Sequence, residues 1–565
     1  MPGEPQGDGA ARFEGCIAVR RWNGVGRCGS GRGAMRVVII GAGQVGFAIA
    51  QRLSWEHHEV VLVDRDAHRL AELTERLDVG SVQGSGCSPV ALRRAEVEKA
   101  GMVIAVTDSD EVNLLACLLA GRLAPQAIRL ARVRDPDYHV DPDLFRGEPF
   151  GLAAVINPEE EAARRIARTL EVPGALDVVQ FVGGRVLLIG IRIDPENPLA
   201  GQPLSRLRAP EGIQLRVACL ERRGKVTVPH GDDTLVPGSI AYIACLREHA
   251  PAVLQLAGKR PEPVRSVMIF GAENLATYLA RELQARQVRV KIISSDPERC
   301  RETAERLPAA LVVQGDGTDP EVLVEEGIAD IDAFVAGSRH EDRNVPVALL
   351  AKSLGARLAM VAASSETFEH LAPSIGIDAA TSPQSAVVGS ILQFLRHGRV
   401  LGVQALWSRD VEVLELQALE GSKLVARPLK KAGFPRHAMV LTVSRGDQTV
   451  IATGDTMIAP GDRVVAIMRR EVVRKVEKVF AGREDSLPPP APAPATPGAP
   501  AAAGAAPLAG SPAPAVPAAG AAPPAGSPAP AVPAAGAAPP AGSPVPPVST
   551  TPGGPPPPPA GPAAR

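Results

Sequence analysis

The fold is decided by the stretch Val37-Val-Ile-Ile-Gly-Ala-Gly-Gln-Val-Gly46, an apolar run that ends in a glycine-rich turn and leads into a helical pattern. The turn fits G-x-G-x-x-G, in which each glycine has a physical role. Gly41 permits the tight turn, Gly43 lets the backbone approach a pyrophosphate, and Gly46 allows close packing of helix on strand. The helix N-terminus adds free N–H groups and partial positive charge. The stretch therefore predicts a Rossmann-type lobe with a dinucleotide site along Gly41, Ala42, Gly43, Gln44, Val45 and Gly46.

A carboxylate strengthens this prediction. Asp64 follows the next apolar strand, Val60-Val-Leu-Val63. Its distance from the last glycine is close to the spacing that the motif requires, roughly 20 residues. A carboxylate at that position accepts hydrogen bonds from both hydroxyls of a ribose and repels a 2′-phosphate. NAD or an adenine nucleotide is therefore favoured over NADP, although the adjacent Arg65 weakens the exclusion. The alternative is a Rossmann lobe that has lost its ligand.

Further polar side chains are expected where later strands reach the same cleft. Thr107 and Asp108 follow an apolar strand, and Arg132 lies near the end of the strand after it. A guanidinium matches the geometry of a phosphate, so Arg132 is a candidate phosphate partner. For Asp108, Asp110 and Glu111, capping of the following helix is an equally good explanation. No catalytic or metal-ligating residue is predicted.

The chain is a tandem duplication. The stretch from Val37 to Gly46 has a counterpart from Val267 to Ala276. A second landmark, Gln83 to Pro89, recurs at Gln314 to Pro320. The displacement between the copies changes by only one position from the first landmark to the second. A nearly constant displacement over such separated landmarks indicates a true repeat.

Each half changes character along its length. Short apolar strands at first alternate with amphipathic helices, an order that predicts a parallel sheet covered on both faces. After Pro173, and again from Val411, β-like segments are separated by turns rich in Gly, Pro and Asp. The predicted fold class is therefore α/β, a tandem duplication of a Rossmann-like parallel-sheet lobe followed by a small α+β lobe. The expected domains are 1–34 (leader), 35–157 (first Rossmann lobe), 170–257 (first small lobe), 264–385 (second Rossmann lobe), 400–482 (second small lobe) and 485–565 (tail).

The second Rossmann lobe is expected to bind a dinucleotide poorly or not at all. In the places of the second glycine, the third glycine, the aspartate and the arginine stand Glu273, Ala276, Ser294 and Ala363. A glutamate at the pyrophosphate turn brings negative charge against phosphate. A structural or regulatory role is therefore predicted for this lobe, with another ligand at the polar turn Gly315-Asp-Gly-Thr318 as the alternative.

The two ends of the chain differ from its middle. Of the 55 prolines, 28 lie in residues 485–565, where a 16-residue repeat begins at Gly510 and recurs from Gly526. With so few large apolar side chains the tail cannot offset chain entropy, so a disordered linker is expected. Residues 1–34 show neither helical nor strand periodicity, and disorder is expected there too. Because Met35 leads directly into the first strand, one hypothesis is that translation starts at Met35.

Composition argues against several classes of protein. The 61 Lys and Arg residues balance 62 Asp and Glu residues, so the basic field of a nucleic-acid binder is lacking. No apolar run reaches the roughly 18 residues that cross a bilayer. The seven cysteines are scattered without a Cys-x-x-Cys pair, which favours reduced thiols in a cytosolic compartment. No recognisable proton-transfer set accompanies the nucleotide motif, which argues that the protein is not an enzyme.

The motifs, taken in this order, closely resemble the TrkA family of cytoplasmic RCK/KTN-type regulatory components of bacterial Trk potassium uptake systems. The resemblance is carried by the glycine turn with Asp64, by Val82-Gln-Gly-Ser-Gly86, by Ala105 to Asn113, by Ala131 to Tyr138, and by the duplication. It covers about Met35 to Phe480, in the order N-domain, C-domain, N-domain, C-domain. The leader and the tail stay unexplained.

This resemblance implies a ring of chains, expected to be a tetramer, on the inner face of the plasma membrane. The ring would bind an integral potassium-translocating subunit of the TrkH or TrkG type. No nucleic-acid partner is expected, because the charge of the chain is balanced. NAD(H), or ATP or ADP in the same site, would bias the pore. Carried over by motif, the site is Gly41 to Gly46, Asp64, Thr107, Asp108 and Arg132.

Two other classes of function stay open at this stage. One is an NAD-dependent oxidoreductase, against which the missing catalytic set counts. The other is a nucleotide sensor that serves a different cation channel or an antiporter, which would share all the same motifs.

Overall fold

The computed structural model describes residues 35–480, apart from positions 140, 142, 208, 223, 364, 365, 396–399, 406–410 and 426. The leader at 1–34 and the tail at 485–565 lie outside the described residues, so their disorder stays a prediction. Within the described part of the chain, no helix combines the length and the apolar character needed to cross a membrane.

The first lobe contains six strands and four α-helices. In chain order these are β1 (Arg36–Ile40), α1 (Gln44–Trp55), β2 (Glu59–Asp64), α2 (Ala67–Arg76), β3 (Gly80–Gln83), α3 (Pro89–Arg94), β4 (Met102–Ala105), α4 (Asp110–Leu123), β5 (Ile128–Arg132) and β6 (Ala154–Ile156). The strands form one parallel sheet in the order β3-β2-β1-β4-β5-β6.

Burial on both faces explains why β1 is a continuous apolar run. Val37 and Ile39 point into one core with residues of α1 and α2, while Val38 and Ile40 point into another with residues of α3 and α4. Such strands need no polar alternation because neither face of the sheet meets water. The strand order reverses between β1 and β4, and the carboxyl ends of those strands border the crevice where ligands bind in this fold.

A linking helix and a small antiparallel domain follow. They comprise α5 (Pro158–Leu170), β7 (Asp177–Phe181), β8 (Val186–Arg192), β9 (Leu215–Arg222), β10 (Lys225–Thr227), β11 (Ile240–Leu246) and α6 (Ala250–Leu256). The five strands form a sheet in the order β10-β9-β11-β8-β7.

The second half of the chain repeats both parts. Its elements are β12 (Ser266–Phe270), α7 (Asn274–Gln284), β13 (Arg289–Ser294), α8 (Pro297–Arg306), β14 (Leu311–Gln314), α9 (Pro320–Glu325), β15 (Ala333–Ala336), α10 (Glu341–Ser353), β16 (Leu358–Ala362), α11 (Glu366–Leu371), β17 (Ala379–Thr381), α12 (Pro383–Leu395), β18 (Val400–Ala405), β19 (Val411–Gln417), β20 (Ala438–Arg445), β21 (Gln448–Ile451), β22 (Arg463–Arg469) and α13 (Val473–Phe480).

The sheet orders confirm the predicted fold class. The second parallel sheet runs β14-β13-β12-β15-β16-β17, and the second antiparallel sheet runs β21-β20-β22-β19-β18. Element by element, these are the orders of the first half. The chain is therefore an α/β protein made of two copies of one Rossmann-like lobe and one small α+β lobe.

The two halves exchange their linking helices. Ala162 and Ile166 of α5 lie in the core of the second lobe with Leu275 and Leu279 of α7. Reciprocally, α12 and the second small domain share a core with α1 and the strands of the first lobe. The two small sheets also pack together around the buried Tyr242. Each Rossmann lobe therefore packs against elements of the other half.

The exchange of the linking helices cannot be predicted from the sequence pattern. Helix α5 packs against the second lobe through residues such as Ala162 and Ile166, and α12 packs against the first lobe through Val387 and Ile391. Their structure depends on partners that are distant in sequence, which local periodicity does not reveal.

Candidate functional site

The three glycines of the first turn have different structural roles. Gly41 has a positive φ of +110°, and a Cβ on it would lie 2.9 Å from the backbone nitrogen of Thr107. A Cβ on Gly46 would lie 1.9 Å from the carbonyl oxygen of Gly41, so only glycine lets α1 approach the turn this closely. A Cβ on Gly43 would meet no atom within 4 Å. Glycine is thus required at positions 41 and 46 by close backbone contacts, whereas Gly43 faces open space.

The N-terminus of α1 carries no group that would oppose an anion. Gly43 is the N-cap residue, no side chain caps the helix, and its first turn has no acidic residue. Ala42 and Val45 are buried and hold the turn against the core. Gln44 is exposed, and its Oε1 accepts a hydrogen bond at 3.0 Å from Nε2 of Gln384 in α12. The helix therefore presents unsatisfied N–H groups and positive dipole potential at the crevice.

Asp64 is held directly beside the glycine turn. Its Oδ2 accepts the backbone N–H of Ala42 at 2.6 Å, and its Oδ1 accepts the N–H of Asp66 at 2.9 Å. The two bonds orient the carboxylate at the end of β2. Each oxygen of an ionised carboxylate has two acceptor positions, so Asp64 keeps capacity for hydroxyl donors.

Asn113 ties the ends of β4 and β5 together. Its Oδ1 accepts the backbone N–H of Thr107 at 2.8 Å and the hydroxyl of Thr107 at 2.7 Å. Its Nδ2 donates to the carbonyl oxygens of Thr107 at 3.1 Å and Arg132 at 2.9 Å. Asn113 has no predicted role in the nucleotide motif. The duplication contains the signal, because Asn344 stands at the corresponding position of the second copy.

Arg132 is a buried guanidinium whose donors are poorly used. The residue is 9% exposed, and its Nε is buried without a hydrogen-bond partner. Its terminal nitrogens lie 3.6 Å from a carboxylate oxygen of Asp108 and 3.8 Å from one of Glu159, beyond hydrogen-bond distance. Burial lowers the pKa of Arg132, and Glu159 acts in the opposite direction. Arginine nevertheless stays protonated in proteins. A buried cation with free donors fits an anionic ligand.

The acidic residues around α4 act differently from the predicted capping. Ser109 is the N-cap, and its Oγ accepts the N–H of Val112 at 3.2 Å. Asp110 instead accepts the N–H groups of Arg134 and Asp135, each at 2.9 Å, and so fastens the loop after Arg132. Side-chain capping by Asp108 or Asp110 is therefore wrong, because Ser109 occupies the cap, whereas Asp110 and Glu111 do lie in the first turn of α4, where the helix dipole favours negative charge.

The ten predicted site residues all lie at the carboxyl ends of adjacent strands. Gly41 to Gly46 follow β1, Asp64 ends β2, Thr107 and Asp108 follow β4, and Arg132 ends β5. The structure brings them to one edge of the sheet, at the reversal of strand order. Their assignment as ligand contacts stays a prediction.

The turn of the second lobe is covered by its own glutamate. Gly271 has a φ of +104°, and Oε2 of Glu273 lies 2.5 Å from the place of a Cβ on Gly271. That oxygen has no hydrogen-bond partner, and the other carboxylate oxygen lies 3.6 Å from the Arg339 guanidinium. Burial raises the pKa of Glu273. A side chain thus occupies the region that is open above Gly43.

The other departures in the second lobe remove charges. Ser294 ends β13 as Asp64 ends β2, and its Oγ accepts the N–H of Asp296 at 3.3 Å. The counterpart of Arg132 is Ala362, not Ala363 as the sequence alignment suggests. Asn344 bonds to the carbonyl of Ala362 at 3.3 Å as Asn113 bonds to that of Arg132, and β16 ends at Ala362. The second copy gains one residue before β14 and loses one between α10 and β16, which shifts the alignment by one position.

The fold and this crevice define a class of protein, a tandem pair of RCK modules. The solved RCK domain of GsuK covers 79% of this chain and 95% of its own length, with a TM-score of 0.51 at 19% identity. The GsuK channel bound to NAD covers 79% of each chain, with a TM-score of 0.50 at 19% identity.

Sequence comparison gives the particular family. The TrkA-N domain model matches residues 37–158 and 267–383, and the TrkA-C domain model matches residues 188–258 and 413–481. The chain belongs to the TrkA family, as the sequence resemblance predicts. The Trk system potassium uptake protein TrkA of Azorhizobium caulinodans is 34% identical over 79% of this chain and 98% of its own length. The TrkA of Halomonas elongata is 35% identical over 79% and 98%, and the TrkA homolog of Archaeoglobus fulgidus is 32% identical over 79% and 100%.

Proposed function

We propose that this chain is a non-catalytic regulatory subunit that binds a nucleotide in its first lobe and thereby gates potassium uptake by a Trk-type membrane transporter. The observation that carries the proposal is the first crevice itself. An uncapped helix N-terminus, a fixed carboxylate and a buried arginine with free donors lie along one sheet edge. Family membership supports the potassium system, because the relatives are named Trk potassium uptake proteins.

The positions of the charged groups suggest how a dinucleotide lies. Asp64 on β2 would accept the hydroxyls of the adenine ribose, and the open space at Gly43 would take the pyrophosphate. Arg132 on β5 would meet the more distant phosphate or ribose. The four strands β2, β1, β4 and β5 are adjacent, so at about 4.8 Å per spacing the site extends roughly 14 Å. NAD(H) fits this extent, and ATP or ADP would use the same contacts.

The exchanged helices give the bound nucleotide a route to the rest of the assembly. Helix α12 of the second half contacts Gln44, so a movement of the turn around a ligand would also move α12. A ligand shifts a conformational equilibrium only through different affinities for its two states. We propose that the two states are forms of a homo-oligomeric ring, a tetramer, at the inner face of the membrane, docked on a TrkH- or TrkG-type subunit.

The test of this function is a matched pair of substitutions at equivalent strand ends. Asp64→Ala should weaken binding of NADH or ADP by at least tenfold in calorimetry, because a carboxylate that accepts two hydroxyls contributes about 1.5 to 3 kcal/mol. Ser294→Ala, the corresponding change in the second lobe, should leave the affinity unchanged. Equal affinities for wild type and Asp64→Ala would overturn the site.

The transporter partner is tested separately by flux. Potassium uptake into vesicles that contain the membrane subunit should respond to nucleotide with the wild-type chain and lose that response with Asp64→Ala. A nucleotide-dependent response of another cation channel or antiporter, with no response of the Trk-type subunit, would assign the same site to a different partner.

A further inference from the structure

The first turn of α5 reaches into the crevice of the first lobe. Glu159 is the second residue of this helix, and its carboxylate lies 3.8 Å from the guanidinium of Arg132. Two hydrogen bonds hold the start of α5 in place. Nδ2 of Asn157 donates to the hydroxyl of Tyr278 at 2.9 Å, and this hydroxyl donates to the carbonyl of Arg134 at 3.2 Å. The helix start, the loop after Arg132 and α7 of the second lobe thus meet at one point.

The pair of Arg132 and Glu159 is incompletely satisfied. Oε2 of Glu159 is buried without a hydrogen-bond partner, as is Nε of Arg132. The remaining charged groups around the guanidinium are Asp108, Asp110 and Arg134. Asp108 is almost fully exposed, and the carboxylate of Asp110 accepts the backbone N–H of Arg134 and lies 4.0 Å from its guanidinium. Buried charged groups are normally paired and hydrogen-bonded, so this contact is a weak substitute for a better partner.

From this geometry we infer that Glu159 determines the affinity and the ligand class of the nucleotide site, because its carboxylate lies 3.8 Å from the guanidinium that a phosphate must contact and competes with that phosphate. The inference rests on the proposed nucleotide-binding function. A phosphate bound to arginine forms short, often bidentate hydrogen bonds of about 2.7 to 2.9 Å. Such a ligand displaces Glu159 from its loose contact, whereas a nucleoside without phosphate cannot. The site then selects ligands whose phosphate reaches Arg132.

The neighbouring acids do not share this role. Glu160 and Glu161 occupy the same helical turn, yet both pair with Arg164, which also lies 3.7 Å from Glu282 of α7. Glu160→Gln therefore removes one negative charge at a similar place without removing the contact to Arg132. This substitution is a matched control for a general change in electrostatic potential.

Displacement of Glu159 also has a structural consequence. Helix α5 belongs to the core of the second lobe through Ala162, Ile166 and Leu170. When the first turn of α5 leaves Arg132, the contact between the nucleotide site and the core of the second lobe therefore changes. The helix connects the crevice to a lobe whose own turn is covered by Glu273.

The experiment compares affinities of the full chain for ADP, NADH and adenosine by calorimetry. Glu159→Gln should bind ADP and NADH about threefold to fivefold more tightly than wild type, the size of a partly buried ion pair. Glu160→Gln should bind them like wild type, and adenosine should bind equally to all three proteins. In the background of Arg132→Gln, the further change Glu159→Gln should give no gain.

Each other outcome has a defined meaning. Unchanged affinity in Glu159→Gln, the same gain in Glu160→Gln, a gain for adenosine, or a gain that persists without Arg132 overturns the inference. If wild type binds neither ADP nor NADH, the proposed function itself fails. Nucleotide binding that depends on Asp64 but not on Glu159 leaves the function intact and removes only this inference.

Discussion

The two Rossmann lobes of this chain have the same strand order and the same amide clamp, an asparagine side chain that joins the ends of two adjacent strands. Only the first lobe has an open turn. In the first lobe Asn113 joins the ends of β4 and β5, and in the second Asn344 makes equivalent bonds to Ser338 and Ala362. The turns differ because a glutamate side chain lies over the second one. The comparison separates the residues that build the lobe from those that make it a ligand site.

The largest expected effect concerns the shared clamp. Asn113→Ala should lower the local stability of the first lobe by about 3 kcal/mol, because it leaves the N–H and the carbonyl of Thr107 and the carbonyl of Arg132 without partners. Asn344→Ala should cost a similar amount in the second lobe. Hydrogen exchange of the amides in β4 and β15 measures both. A loss in the first lobe alone would show that the clamp serves the ligand and not the fold.

A smaller effect is expected at the third glycine position. Gly46→Ala places a methyl group 1.9 Å from the carbonyl oxygen of Gly41, and relief of this clash should cost about 2 kcal/mol. Ala276→Gly in the second lobe should cost only about 1 kcal/mol, the penalty of glycine in a helix. Chemical denaturation followed by hydrogen exchange at β1 and β12 compares the two. Equal costs would mean that both helices approach their turns to the same distance.

The smallest effect is a pH dependence of the second lobe. Burial raises the pKa of Glu273 above its ordinary value of 4.5. The folded lobe therefore favours the protonated carboxyl, whose stabilisation is fully present below pH 4.5 and is lost as the pH rises through the raised pKa. Relative to Glu273→Gln, wild type should be more stable in acid than at neutral pH. Thermal unfolding of both proteins from below pH 4.5 to neutral pH tests the direction of this change. Stability curves that stay parallel over this pH range would contradict the prediction.

Much of the first site could be predicted because its signals are local. Gly41, Gly46 and Asp64 stand at fixed distances after strands, and the positive φ that Gly41 shares with Gly271 of the second copy favours glycine at that position in both lobes. Asn113 is less visible, since asparagine in a helix has no single meaning until its counterpart Asn344 is compared. The register that makes Ala362 the counterpart of Arg132 depends on strand pairing, which a one-residue shift obscures.

Glu159 illustrates the part that sequence patterns do not reach. It is separated from Arg132 by a loop and by strand β6, and it lies in a helix whose apolar side is buried in the other half of the chain. Its charge alone indicates only a favourable position near a helix N-terminus. Its contact with Arg132 arises because Asn157, Tyr278 and Arg134 hold three segments at one point.

Local covalent and periodic constraints were enough to predict the duplication, the α/β class, the glycine turn and the family of this protein. A glycine after a strand, a run of β-branched residues and a repeated spacing can each be recognised without knowing what lies across the sheet. The exchange of helices between halves, the cover over the second turn and the poorly satisfied Arg132 were decided by tertiary structure alone. They depend on which side chains meet after folding, and burial determines whether a charge finds a partner or is left available for a ligand.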